Sequence, residues 1–422
     1  MIELPRISRA LENVLVGCGV LLLFTPKINL LAISGQSAGI RVDDIALAGL
    51  CLLIAVCFLY SCRFSISRLE VVFASFFFIS LCSNALNIFA YGRSNLLYSF
   101  RLIEYFIFLY VGCYYSERHS IRPLTWAILF LNGAVMVLQR VGLVGAATSE
   151  GLIADSTRRA VGLTGGPWEV GILLNFCFAV LVFDEERKRN LRFALILFIG
   201  ILGLLLLTGA RMPSLTHMVL LIVYLYRRST KKRVFVLQAI SILFLASAMF
   251  VLIPNPVVER SSKLLTKQNF EVLVDAYKHI DVGNTFEFGD PFENSESTTS
   301  DDTDFSWISR TLKWAAASKM YLSDSRLYLV GIGPGTTGIA LDGGWLRIIT
   351  ETGIAGFVFF LILFNKIRRL SAEMSGVVLS LFISMIMIDI HMAYKAMAFT
   401  YFAAGYYCNH RVRVSLPPEV SS

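Results

Sequence analysis

The chain has little charge. Only 16% of its 422 residues are Asp, Glu, Lys or Arg, against about 25% in an average soluble protein, while 56% are hydrophobic and the mean hydropathy is +0.66. A water-soluble globule cannot hide that much apolar surface, so lipid is the expected solvent. Alternating polarity is scarce too, which excludes a membrane β-barrel, whose strands require it. The longest polar stretch has no cysteine. Cys18, Cys51, Cys57, Cys62, Cys82, Cys113, Cys177 and Cys408 all fall in apolar blocks or at their edges, so neither a disulfide framework nor a thiolate metal site is expected. The five histidines are scattered without ligand spacing, and no metal or cofactor is expected. A small-x-small cleavage motif is missing after Arg6, Arg9 and the apolar run 14–24. That start is read as a retained first helix rather than a signal peptide.

What the chain does have is apolar blocks near the roughly 20 residues a membrane helix needs, separated by short polar hinges. They predict an all-α integral membrane protein with about twelve spans, near 10–31, 43–60, 69–90, 95–115, 123–144, 168–183, 192–208, 212–226, 234–253, 345–364, 374–390 and 393–409. Every second hinge is basic: 63–68, 118–122, 187–192, 227–233, 366–369 and the tail at 411–413. Positive loops stay inside, so both termini are expected in the cytoplasm of a multi-pass inner-membrane protein. The net charge of +8 is largely this topological signal and implies no nucleic-acid partner.

The expected organisation is a block of nine spans over 1–253, an outer loop over 254–344, three spans over 345–409 and a cytoplasmic tail over 410–422. The middle of the outer loop, 287–304, is acidic and rich in Ser and Thr, a composition that favours mobility. Amphipathic stretches at 264–279 and 307–321 flank it and could lie on the membrane surface or cover a cavity.

Charges at membrane depth are costly and mark function or a partner. Four sets stand at the outer ends of the predicted spans. In Thr208-Gly209-Ala210-Arg211-Met212-Pro213, Pro213 suits the first turn of a helix whose free N–H groups and positive dipole end would lie beside Arg211, an anion site. An arginine reaching to lipid headgroups is the alternative. In Gly331-Ile332-Gly333-Pro334-Gly335 and Leu341-Asp342-Gly343-Gly344-Trp345-Leu346-Arg347, running on to Glu351, Asp342 stands at an N-cap position and Arg347 and Glu351 are spaced i,i+4. A cap and a helix-surface pair would explain these without any activity. Arg158 and Arg159 precede Gly162-Leu163-Thr164-Gly165-Gly166-Pro167-Trp168-Glu169, where a Gly-rich backbone before a helix can approach a phosphate, while Glu169 fits a first-turn acid. On the fourth span, Arg101 and Glu104 form an expected ion pair, with Tyr98 and Tyr105 on the face of Arg101. His391, near Asp389 and Lys395, reads as a loop histidine, and His217 as a packed one.

The order of these pieces around an outer loop resembles the Wzy-type O-antigen polymerase and O-antigen ligase superfamily. The resemblance sits in Arg41-Val42-Asp43-Asp44, 101–105, 162–171, 208–211 and above all 331–335 with 342–356. As a layout it covers most of residues 40–400; as motifs it covers only short stretches. It implies a GT-C-like membrane fold and a glycosyltransferase that moves a glycan from undecaprenyl pyrophosphate on the periplasmic face, by inversion and without a metal. The membrane-borne, undecaprenyl-pyrophosphate-linked oligosaccharide is the implied substrate and a chain-length regulator a further partner. Such chemistry needs cations for the pyrophosphate and a base for the acceptor hydroxyl. The residues matched to these roles are Arg211, Arg159, Arg101 and Arg347 for the anion, Tyr98, Tyr105 and Trp345 for the glycan, and Asp342, then Glu169, for the base. Many relatives carry His-Asn or Asp-Asn before the aromatic residue where this chain has Asp342-Gly343-Gly344-Trp345. Losing a histidine there favours a polymerase over a ligase that transfers finished glycan to lipid A core. A twelve-span secondary transporter is the reading from another class, but it would be expected to show two related halves and a long central linker inside the cell.

Overall fold

The computed structural model describes residues 4–5, 7–26, 29–31, 40–61, 66–91, 96–148, 151–153, 159–184, 190–229, 305–337 and 340–415, with isolated helical residues between 233 and 278. The architecture is all-α. In chain order the helices are α1 Arg9–Phe24, α2 Val42–Ser61, α3 Arg68–Tyr91, α4 Leu96–Tyr115, α5 Ile121–Val141, α6 Pro167–Val182, α7 Leu191–Thr208, α8 Arg211–Arg228, α9 Phe305–Leu322, α10 Leu327–Val330, α11 Gly344–Arg368, α12 Ala372–Ser384 and α13 Tyr394–Ser415, with a 3-10 turn at Ile390–Met392. Five stretches, in α2, α3, α5, α7 and α11, are long and apolar enough to cross a membrane, and α6 and α12 are apolar but shorter. This is a multi-pass helical membrane protein. Most of the expected ninth span, the acidic segment 287–304 and most of 264–279 lie outside the described residues.

The most intimate packing is between α4 and α13, and glycine makes it possible. A Cβ added to Gly112 would lie 1.9 Å from the Phe402 carbonyl oxygen, and one on Gly405 would lie 1.9 Å from that of Leu109. In lipid, association depends on van der Waals contact rather than water exclusion, so small residues that let backbones touch hold helices together. Around this pair, α6 buries nearly its whole circumference, from Val170 to Val182, among α5, α7, α8, α12 and α13. Its almost wholly apolar sequence after Glu169 follows from that central position.

The structure departs from the expected spans at several points. The first span ends at Phe24 rather than near 31: Thr25 caps α1 by hydroxyl bonds to the Leu21 and Leu22 carbonyls ahead of Pro26, and Asn29–Leu31 turns back as a short strand against Ile40–Arg41. A second small hairpin pairs Ala146–Thr148 with Gly151–Ile153, so among the described residues four short strands join a fold expected to be purely helical. The span expected over 374–390 stops at Ser384 and continues as turns to Asp389. A third departure lies inside α11, which breaks at Gly353 (φ 67°, ψ −176°), a conformation essentially confined to glycine. The carbonyls freed by the break find partners. Ile332 N–H donates to Thr350 (2.8 Å), Gly333 N–H to Glu351 (3.0 Å) and the Ser83 hydroxyl to Glu351 (2.8 Å). Irregular backbone is tolerated at such depth only where protein satisfies it in this way.

Candidate functional site

At one end of the bundle the ends of α1, α3, α4, α6, α8, α11 and α13 carry a layer of polar side chains. At its centre is Arg347, fully buried in the second turn of α11. Its Nε lies 3.1 Å from Glu351 Oε1 and its Nη1 lies 2.9 Å from Asp389 Oδ2. Thr337 Oγ1 donates to the same Glu351 oxygen at 2.5 Å. A lone buried guanidinium would cost many kcal/mol, so two carboxylates and a ring are what permit it. The ring is Tyr98: the guanidinium carbon of Arg347 lies 5.5 Å from its centroid, and that of Arg101 lies 5.0 Å from it. Two of the arginines singled out in the sequence thus converge on one of the singled-out tyrosines.

Asp389 does more than neutralise Arg347. Its carboxylate accepts the backbone N–H groups of Leu341 (2.7 Å), Asp342 (3.1 Å) and Gly343 (3.0 Å). The N-cap role expected of Asp342 is therefore taken by a residue 47 positions further along the chain. The residue at the cap position of α11 is Gly343, which has no side-chain cap bond. Asp342 itself adopts φ 57°, the only positive φ among the described non-glycine residues. Its side chain points the other way, to Arg310 of α9, with Arg310 Nε 2.9 Å from Asp342 Oδ2 and 32% of the aspartate side chain exposed. Trp314 of the same helix donates to the Leu341 carbonyl at 2.9 Å. Helix α9, whose helical spacing was legible at 307–321, is thus docked onto the turn that carries Asp342. At the end of α9 Tyr321 donates its hydroxyl to the Tyr328 carbonyl (2.9 Å), and burial raises the phenol above its usual range, which keeps it a donor.

The turn at 331–335 packs beneath this layer. Asn87 of α3 donates to the Gly331 carbonyl at 2.9 Å, and a Cβ on Gly331 would lie 2.4 Å from the Glu351 backbone. Close approach of two backbones explains Gly331, and positive φ explains Gly333 (94°) and Gly335 (85°), with no phosphate required.

Glu169 is wholly buried in the first turn of α6. One oxygen accepts Gly165 N–H (2.9 Å) and the other accepts Lys395 N–H (2.9 Å). The carboxylate closes its own helix start and pins α13 to it, which is the first-turn role and places it away from any exposed acceptor. Lys395 in turn donates from Nζ to the carbonyls of Leu22 (2.7 Å) and Thr25 at the end of α1, where a cation suits the helix dipole. Tyr105 donates to the Met392 carbonyl at 2.9 Å.

The Gly-rich stretch before α6 does not offer the open anion cradle its composition suggested. Gln139 Oε1 on α5 accepts the N–H groups of Val161 and Gly162 (both 2.9 Å), and Asn132 Oδ1 accepts that of Leu163 (3.0 Å). Those donors are taken up in holding a buried loop. Arg159 Nε donates to the Thr208 carbonyl at 3.1 Å, tying this loop to the turn that leads into α8. Arg158 lies outside the described residues. Arg211 is the first residue of α8, partly exposed. Pro213 falls in that first turn as expected, and a Cβ on Gly171 would lie 2.7 Å from it. Trp345 stands apart from the charged layer: its indole donates to the Phe382 carbonyl at 3.0 Å and packs among Phe357, Phe360 and Phe382. His217 is packed between Phe178 and Phe198 and bonded to the Phe198 carbonyl.

The arrangement therefore separates two kinds of residue. Arg347, Glu351, Asp389, Glu169 and Lys395 are buried and build the layer, whereas Asp342, Arg310 and Arg211 are partly exposed on it. Arg310 and Asp389 were not singled out as site residues, because their partners are 32 and 42 positions away. Among the described residues no group of His, Cys, Asp and Glu could hold a metal ion. No protein-family model matches the chain, and no curated protein matches it. What fold and site define together is a membrane protein with transmembrane helices and a buried polar layer at one end of the bundle.

Proposed function

We propose that this protein is a polysaccharide polymerase of the bacterial inner membrane, an O-antigen-type glycosyltransferase of about twelve spans. It would transfer a growing glycan from undecaprenyl pyrophosphate to a new lipid-linked repeat unit on the periplasmic face. The observation that carries this reading is Asp342: a partly exposed carboxylate at φ 57°, on a turn clamped from behind by Asp389 and faced by Arg310. Strain at a non-glycine residue persists only where surroundings over-determine it, and such positions cluster at working sites. Asp342 would orient or deprotonate the acceptor hydroxyl, while Arg211 and Arg310 would stabilise the pyrophosphate as it leaves with its added charge. No metal is required, because the carrier pyrophosphate is already a good leaving group. The ligase alternative shares this layout and differs in acceptor. The absence of histidine from the turn at 342–344 favours polymerisation.

The test is chain growth in cells. Arg211→Ala and Asp342→Ala are each expected to abolish polymer while the protein stays in the membrane at normal abundance. Normal polymer from both variants would overturn the assignment.

A further inference from the structure

At the opposite end of the bundle from the polar layer, α8, α11 and α12 enclose a cleft of about 590 Å³. Its wall is apolar, built by Val223, Leu361, Val378 and Phe382, and Ile362 is exposed at its edge. Two arginines complete it, Arg227 at the end of α8 and Arg368 at the end of α11. Both are exposed, and both are held in place by side chains that also line the cleft. Arg227 Nη2 donates to Ser375 Oγ at 2.8 Å, with its guanidinium carbon 5.4 Å from the Phe183 ring centroid, and Arg368 Nη2 donates to Asn365 Oδ1 at 3.1 Å. Among the described residues neither arginine forms an ion pair with a carboxylate. The acid nearest in sequence on α12, Glu373, is hydrogen-bonded to Tyr407 of α13.

We propose that this cleft is a binding site for an anionic phospholipid of the cytoplasmic leaflet, with an acyl chain against the apolar wall and the phosphate between Arg227 and Arg368. Ile362 is exposed at the cleft's edge on a helix apolar enough to cross a membrane, and the cations stand at the end that carries the basic hinges. Apolar wall and paired cations therefore match the two halves of an anionic lipid in the order in which a leaflet presents them. Planar guanidiniums held by neighbouring groups suit a phosphate better than mobile lysines. The inference does not depend on the glycosyl-transfer reading.

The experiment is a thermal-unfolding titration of the purified full-length protein in zwitterionic phosphatidylcholine nanodiscs, with phosphatidylglycerol added in increasing fraction. A saturable rise in Tm is expected, with apparent affinity about tenfold weaker in Arg368→Gln and lost in the double variant Arg227→Gln/Arg368→Gln. Native mass spectrometry of the single Arg368→Gln variant provides a second reading if the double variant unfolds, through fewer retained phosphatidylglycerol adducts than wild type. An unchanged phosphatidylglycerol response in the variants would overturn the proposal. So would an equal rise from inorganic phosphate alone, which would mean a soluble-anion site.

Discussion

Arg347 on α11 and Asp389 before α13 are joined by a 2.9 Å bond between Nη1 and Oδ2, and both residues are buried. The same Asp389 carboxylate gathers three successive backbone N–H groups of the turn bearing Asp342. One aspartate thus couples the charge of a transmembrane helix to the shape of the turn that carries Asp342. Replacing Asp389 with Asn leaves the Arg347 charge with Glu351 as its remaining carboxylate partner and weakens the acceptor of those three N–H groups. The expected cost is about 3–5 kcal/mol, typical of breaking a buried pair, measured as a lowered Tm of detergent-solubilised protein.

Gly353 and Gly331 meet across the break in α11. A Cβ on Gly353 would lie 2.3 Å from the Leu329 carbonyl oxygen, and the residue's φ of 67° with ψ of −176° suits only glycine. Gly353→Ala is therefore expected to reduce folded yield strongly in fluorescence-detected size exclusion. Gly200→Ala on α7, where a Cβ meets nothing within 4 Å, should leave the profile unchanged.

Asp342 and Arg310 are ion-paired, partly exposed members of the layer, so their loss should show in activity before stability. Arg310→Gln and Asp342→Asn are each expected to cut chain growth by at least about tenfold with Tm close to wild type. A large fall in Tm with proportionate residual activity would instead mark the pair as a clasp for α9.

Glu169 makes the contrasting prediction. Both its oxygens accept backbone N–H groups inside the protein, so Glu169→Gln should lower stability by about 1–2 kcal/mol through one weakened acceptor while chain growth continues. Loss of chain growth at normal Tm would move the proton-accepting role from Asp342 to Glu169.

Much of the helical layout was legible because hydropathy blocks report it directly: α4, α6, α7 and α8 begin and end within two residues of the expected spans. Two of the boundaries that moved did so for local reasons, Thr25 and Pro26 stopping α1 and the turns after Ser384 ending α12 early. The Arg347–Glu351 pair was legible from i,i+4 spacing. Asp389 as the clamp on 341–343, Arg310 opposite Asp342 and Ser83 and Asn87 beneath the 331 turn were not, because each bond joins residues distant in the sequence. Composition also misled at 162–166, where the N–H groups of Gly162 and Leu163 donate to Gln139 and Asn132 instead of cradling a phosphate.

The most direct test of the central claim is reconstitution. Purified protein is added to the undecaprenyl-pyrophosphate-linked repeat unit, with and without lipid A core, and the products are separated on a gel beside those of Asp342→Ala. A ladder of repeat units that forms without core, and is lost in Asp342→Ala, is the predicted result. A single shifted band that requires core, or no product under either condition, would contradict it.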